Sequence, residues 1–291
     1  MKLNFLHLVP FFVIPFLFAI DVHAQAGPPF RTDDPETPGN KHWEINFGWL
    51  ADRNPQEGSY SIPDFDFNYG LGDRIQLKYE LPIAVHEERG NFGDVKKSPP
   101  TERHVSVGLG DSLLGIKWRF YQHKLTSPAL QASDDEAPEA NISVSTYPQL
   151  YLNNPTNSVH RDLASPGEKF LLPLEANARI GSIRLDGEVG YWFTNRNVPQ
   201  SWIRGFIAGH EFSRKTNAYL ELYDEQDANR VHGEAKKRET TLGLGGRHGL
   251  NRDNTVLLMA MSGRSFQNIS SGNGQPSWIA YVGIQLFLGP K

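Results

Sequence analysis

The feature that most limits what this chain can become is a two-residue alternation that recurs along almost its whole length. It is clearest in Tyr69–Pro82, YGLGDRIQLKYELP, where Ile75, Leu77, Tyr79 and Leu81 alternate with Gln76, Lys78 and Glu80 after the turn Gly70-Leu71-Gly72-Asp73. Successive strand side chains point to opposite faces, so one face of this strand is apolar and the other charged. Before the turn, Phe65, Phe67 and Tyr69 alternate with Asp64, Asp66 and Asn68. Two such runs joined by a short Gly/Asp turn predict a β-hairpin.

One hairpin fits many sheets; its repetition is what discriminates. Trp43, Ile45, Phe47 and Trp49 share a face, as do Leu114, Ile116, Trp118 and Phe120, set against Lys117 and Arg119. Ile142 to Tyr151 alternates with a bulge expected at Pro148. Phe170, Leu172, Leu174 and Ala176 oppose Glu175, Asn177 and Arg179, and Ile183, Leu185, Val189 and Tyr191 oppose Arg184, Asp186 and Glu188. Five further strands follow, over 202–212, 218–224, 238–247, 255–263 and 277–288, although Leu257 to Met261 is apolar without alternation. The total is about twelve strands.

The connections alternate too. Gly70–Asp73, Gly181-Ser182, Ser213–Thr216 and Leu250–Asn254 are tight, whereas Val85–Val107, Leu152–Lys169 and Glu225–Lys237 are long and polar. The acidic stretch Gln122–Asn141 falls where a tight turn is due. An even number of strands with short turns at one end and long loops at the other describes an all-β fold, a transmembrane antiparallel up-and-down β-barrel, with the tight turns on the periplasmic side.

A soluble β-protein is the competing architecture. Lipid is favoured because the apolar face is unbroken over about five positions per strand, close to the span a tilted strand needs. Aromatics also sit near strand ends as an interfacial girdle requires: Trp43, Trp49, Tyr69, Tyr121, Tyr151, Trp202 and Trp278. Closure would also remove the exposed edges that lipid penalises. Mean hydropathy is negative, too polar for a helical membrane protein yet compatible with strands that show half their residues to a polar lumen.

Composition narrows function. The formal net charge of -4 makes nucleic acid no obvious partner, and the absence of cysteine excludes disulfides and thiol catalysis. Lys2, the apolar run from Phe5 to Ile20 and the small residues of Val22-His23-Ala24 predict an export signal over 1–24, cleaved after Ala24. Residues 25–41 are Pro-rich and predict a periplasmic, non-sheet segment ahead of a barrel over 42–291. Within that segment, Asp33-Asp34-Pro35-Glu36 reads as a solvated turn rather than a cation site.

The charged face should line the lumen. Lys78, Lys117, Arg119, Arg179, Arg184 and Arg204 stand against Glu80, Glu175, Asp186, Glu188 and Glu221, so the signs nearly cancel. Because unpaired charges in a confined interior are costly, a neutral ion-pair network and a narrow, weakly selective pore are expected. Independent solvated charges in a wide water channel are the alternative. Phe206, Tyr219 and Tyr223 are candidates to line a solute path.

Other motifs carry little. The run Asp64–Gly70 has its Gly one place late for a calcium loop and aromatics between its acids; Gly243–Gly249 has the wrong spacing for a dinucleotide loop. His86-Glu87-Glu88 lacks the second histidine of a zincin, and no G-x-S-x-G elbow occurs. No catalytic residue, cofactor or metal is therefore assigned. His210 and His248 are the histidines a lipid-face hydrolase would have available.

The segments GPPFRTDDPETPGNKHWEI, YGLGDRIQLKYELP, GLGDSLLGIKWRF and GHEFSRKTNAYLELY, with LGLGGRHGLN and YVGIQLFLG, resemble the MetA-pathway phenol-degradation family of outer-membrane transporters. The resemblance spans nearly all of the mature chain. It implies an outer-membrane barrel linked to uptake of aromatic compounds, and it supplies no functional residues. Unlike many outer-membrane proteins, this chain does not end on an aromatic: Leu-Gly-Pro-Lys follows Phe287, so the assembly machinery is expected to read Phe287 internally. The expected function is passage or binding of a small, aromatic or hydrophobic solute, with the bilayer and lipopolysaccharide as surroundings. The alternatives are a closed interaction barrel whose long loops bind a partner, and an outer-membrane hydrolase.

Overall fold

In the computed structural model, the described residues are 29–88, 104–124, 140–154, 156–195, 198–231, 235–269, 272–273 and 276–290. The expected signal segment, most of the acidic 122–141 stretch and the middle of the 85–107 loop lie outside them.

The described strands are β1 (Trp43–Arg53), β2 (Glu57–Leu71), β3 (Ile75–Glu88), β4 (His104–Leu109), β5 (Ser112–Lys124), β6 (Ala140–Thr146), β7 (Gln149–Leu152), β8 (Lys169–Ile180), β9 (Ile183–Thr194), β10 (Ser201–Ser213), β11 (Thr216–Asp227), β12 (Lys237–Gly249), β13 (Val256–Ile269), β14 (Gly272–Asn273) and β15 (Ser277–Leu288). β3 pairs with β5 near its start and β4 near its end, so β4 and β5 are one interrupted stave. β6 and β7 likewise form one stave, broken at Tyr147-Pro148, and both pair with β8. β14 is a two-residue appendage of β13. Twelve antiparallel staves result, and β1 pairs with β15 from Trp43↔Leu288 to Arg53↔Trp278, closing the barrel.

The strands outrun the sequence boundaries where alternation fades. β2 begins at Glu57, continuing through a register shift between Ser61 and Asp64 that absorbs Pro63. β3 and β4 reach Glu88 and His104, so the connection expected to start at Val85 is partly strand. The expected bulge at Pro148 is a full interruption, with the Pro148 carbonyl accepting from Ile116 N at 3.0 Å.

Alternation sets the two surfaces. Phe47, Leu77, Tyr79, Ile116, Trp118, Leu172, Leu174, Val189, Leu220, Leu222, Leu244 and Val282 all face outward and are exposed, forming an apolar band round the wall. The rim carrying Trp43, Leu288 and the tight turns is called the near rim; the opposite, long-loop end is the far rim.

The N-terminal segment, expected as a periplasmic, non-sheet stretch ahead of the barrel, enters the barrel instead. Its described part, residues 29–41, runs inside the barrel. At the near rim Lys41 N donates to Gly70 O at 2.8 Å, and Gly70 N donates to His42 O at 2.9 Å. Gly70 is needed there, because a Cβ would overlap the Gly39 backbone. Thr37 Oγ1 donates to Asp73 O at 3.0 Å, and the chain then climbs until Thr32 and Asp34 are almost wholly buried.

Candidate functional site

The lumen is built from the inward face of each strand, and one half of its wall is ionic. Lys78 pairs with Asp66 at 3.2 Å and Glu80 at 2.9 Å. Lys117 lies 3.5 Å from Glu175 and 3.8 Å from Asp33, and its ammonium also donates to the Asp34 carbonyl. Arg184 bridges Asp186, at 2.8 Å, to Asp34. Arg119 binds Glu36 at 3.3 Å, and Arg179 binds Glu211 at 3.0 Å. Glu188 accepts from Asp33 N at 3.1 Å. Glu221 accepts from the backbone nitrogens of Arg31 and Thr32, both at 2.8 Å, and from Thr32 Oγ1 at 2.9 Å.

Asp33, Asp34 and Glu36, expected in a solvated turn, thus meet the barrel's own cations. A chain without periodicity has no assignable face, so sequence could not show which wall these acids meet. Arg31 completes the plug toward the far rim, 2.7 Å from Glu239 and with its guanidinium 4.4 Å above the Tyr223 ring.

Two apolar clusters interrupt this polar lining, the larger on β10, β11, β13 and β15 beside the buried Glu221, Arg247 and Gln285. Phe30 packs edge-on against Tyr219, centroids 5.7 Å apart, within a cluster containing Ile207, Met259, Met261, Ile279 and Tyr281. This explains the unalternating run 257–261: Leu258 and Ala260 face outward, whereas Leu257, Met259 and Met261 face the lumen, so both faces are apolar. Leu171, Ile203 and Tyr223 form a second cluster with Trp192 against it.

Three expected placements are corrected. Arg204 points outward, where Asp224 holds it at 3.1 Å; Arg238 joins the same carboxylate at 2.6 Å. Near the far rim the outer wall leaves its apolar band, so charge no longer marks the inner face. Phe206 is also outward and 48% exposed, because Ile203 and Ile207 occupy the inner face of β10. Tyr151 is no girdle residue: it turns into the lumen and meets Trp192 edge-on at 5.1 Å.

The remaining aromatics of that set face outward. Trp43 packs on Tyr69 at the near rim, where Tyr121 is also exposed; Trp202 packs on Tyr191 and Trp278 donates to Ser262 nearer the far rim. Trp49 is 40% exposed. Tyr219 and Tyr223 do face inward. His210 packs outward on Phe212, and His248 shares a 2.9 Å hydrogen bond with Thr216.

Above the plug lies a cavity of about 370 Å³. Phe30 and Arg31 form its floor, Asp64, Lys78 and Glu80 one side, and Tyr151, Trp192 and Tyr223 the other. A second cavity of about 360 Å³ shares Tyr151, Trp192 and Glu225 and continues toward the far rim beside Ser165, Lys169 and Lys237. Such a vestibule offers an aromatic slot with charged groups opposite, the usual make-up of a small-molecule site.

The plug passes one wall so closely that Gly205 is obligatory: a Cβ there would overlap the Thr32 side chain. Gly205→Val is expected to push residues 30–34 off the wall, seen as new protease sensitivity of the N-terminus while the folded barrel still migrates as a compact, heat-modifiable band.

No protein-family profile matches the chain, and no curated protein sequence matches it. Its fold does match solved barrels. The COG4313 outer membrane channel from Pseudomonas putida F1 superposes with a TM-score of 0.61 at 12% identity, over 88% of this chain and 98% of that one. The translocator domain of the autotransporter NalP from Neisseria meningitidis gives 0.50 at 10% identity, over 86% and 88%. The chain has the fold of outer-membrane β-barrels.

Proposed function

We propose that this protein is an outer-membrane channel that admits a small, partly apolar solute, holds it in the vestibule and is gated by its own N-terminal segment. The observation that carries the proposal is the divided lumen: an aromatic and aliphatic wall faces an ion-paired wall across a cavity of about 370 Å³ whose floor is the plug. A solute with an aromatic ring and a polar group meets a partner on both sides. The exposed apolar band supports placement in a bilayer, since a ring of that kind far exceeds the patches soluble monomers show. Export through residues 1–24, the near rim on the periplasmic side and the resemblance to the phenol-degradation family belong to the same reading.

The test is liposome swelling with refolded protein. Phenol-sized aromatic solutes are expected to enter faster than sugars of equal mass, and Tyr151→Ala with Trp192→Ala is expected to abolish that preference without closing the pore. Equal rates for both solute classes would remove the aromatic-binding part. No entry of either would favour the closed interaction barrel, for which the plug's backbone bonds to Gly70 are the specific argument.

A further inference from the structure

At the far rim, away from the lumen cavity, the structure gathers donor side chains from three separate elements. His86 and Glu88 lie two apart at the end of β3 and share a face. β4 pairs with this stretch, placing Ser106 opposite His86 and His104 opposite Glu88. The connection after β7 folds back over the same edge through the 3-10 turn Val159–Arg161. Arg161 Nη1 holds it by donating to Val107 O at 3.0 Å, and Ser165 N donates to Asp111 at 3.1 Å. Asp162, directly after the turn, is thereby brought to His86 and Glu88.

One ligand atom from each of His86, Glu88 and Asp162 lies within 4.8 Å of the others. The cavity they edge, about 430 Å³, is also lined by His104 and His160. Two further histidines, from chain segments remote in sequence, thus border the same cavity, outside the three-residue cluster itself.

We propose that His86, Glu88 and Asp162, with an imidazole of His104 or His160, bind a borderline divalent transition ion of the Zn²⁺ class. The donor set selects the metal: imidazole nitrogen mixed with carboxylate suits Zn²⁺, Cu²⁺ or Ni²⁺, whereas Ca²⁺ and Mg²⁺ take oxygen alone. Ligands around a tetrahedral Zn²⁺ stand about 3.3 Å apart, a contraction for side-chain rotation of the exposed Glu88 and Asp162 toward the half-buried His86. Ser59 Oγ lies 3.5 Å from His86 Nδ1, which leaves Nε2 for the ion. Occupancy ties the 156–168 part of the connection to the β3–β4 edge. The inference is independent of the solute channel, since none of these residues lines the lumen cavity.

The experiment is equilibrium dialysis of tag-free, refolded protein in detergent against Zn²⁺, with limited trypsin digestion on the same samples. One Zn²⁺ per chain is expected, with slowed cleavage at Arg161. Asp162→Asn, which touches no strand ladder, and His86→Gln should each weaken uptake at least about tenfold and cancel the protection. His210→Gln, on the outer wall elsewhere, should leave uptake unchanged. Unaltered uptake in Asp162→Asn and His86→Gln, equal displacement by Mg²⁺, or no Zn²⁺ uptake by the wild-type protein would overturn the assignment.

Discussion

Removing residues 25–37 raises single-channel conductance several-fold and makes it steady. The barrel ladder closes through β1 and β15 without any contribution from the segment, so the variant still folds; its compact migration before heating checks this. What it loses is the chain that fills the middle of the lumen, from Phe30 in the apolar cluster to Glu36 on Arg119. Water takes that volume and solvates Lys117, Arg119 and Arg184, which then line an aqueous path. Pore dimensions and lining charges set conduction, and both change here. Planar-bilayer recording is the measurement. Conductance equal to that of the intact chain would mean that the constriction lies elsewhere and that the segment is not a gate.

The second large effect falls on stability. Arg184 is 1% exposed and joins Asp34 of the segment to Asp186 of the wall. Arg184→Met takes the cation from Asp186 and leaves Asp34 with Lys117, 4.0 Å away, a loss of about 3–5 kcal/mol by comparison with other broken buried pairs. Urea titration in micelles should show the transition shifted to lower denaturant. Adding Asp34→Asn should recover part of the loss, because a carboxylate that has lost its nearer cation is removed as well. Strict additivity of the two substitutions would show that they do not interact, against the geometry.

The fold was legible because period-2 alternation is local and needs no partner to be read. β3, β5, β8 and β9 carry charge on one face and apolar groups on the other, and their inner and outer faces follow directly. Legibility ended where a second surface competes for apolar residues. In β10 and β13 the inner face packs against apolar groups, Ile207, Met259 and Met261 with Phe30 and Ile203 with Leu171 and Tyr223, so it is as apolar as the outer face. Arg204 and Phe206 were misplaced for that reason. Tyr151 follows a break at Pro148, and its direction depends on how the stave resumes. The plug and the histidine cluster were illegible on other grounds: their contacts join segments far apart in sequence, and nothing local at either end records the partner.

The closing pair of strands has a further consequence for how the molecule is made. Trp43 meets Leu288, so the seam joins the first and the last of the described strands, far apart in sequence. Contacts of such long separation form late, since closing the largest loop costs entropy before any bond returns it. The plug is anchored beside β1, on one lip of that seam. Sealing the cylinder and enclosing the acidic segment are therefore coupled events, since the wall that surrounds it is complete only when the seam is joined.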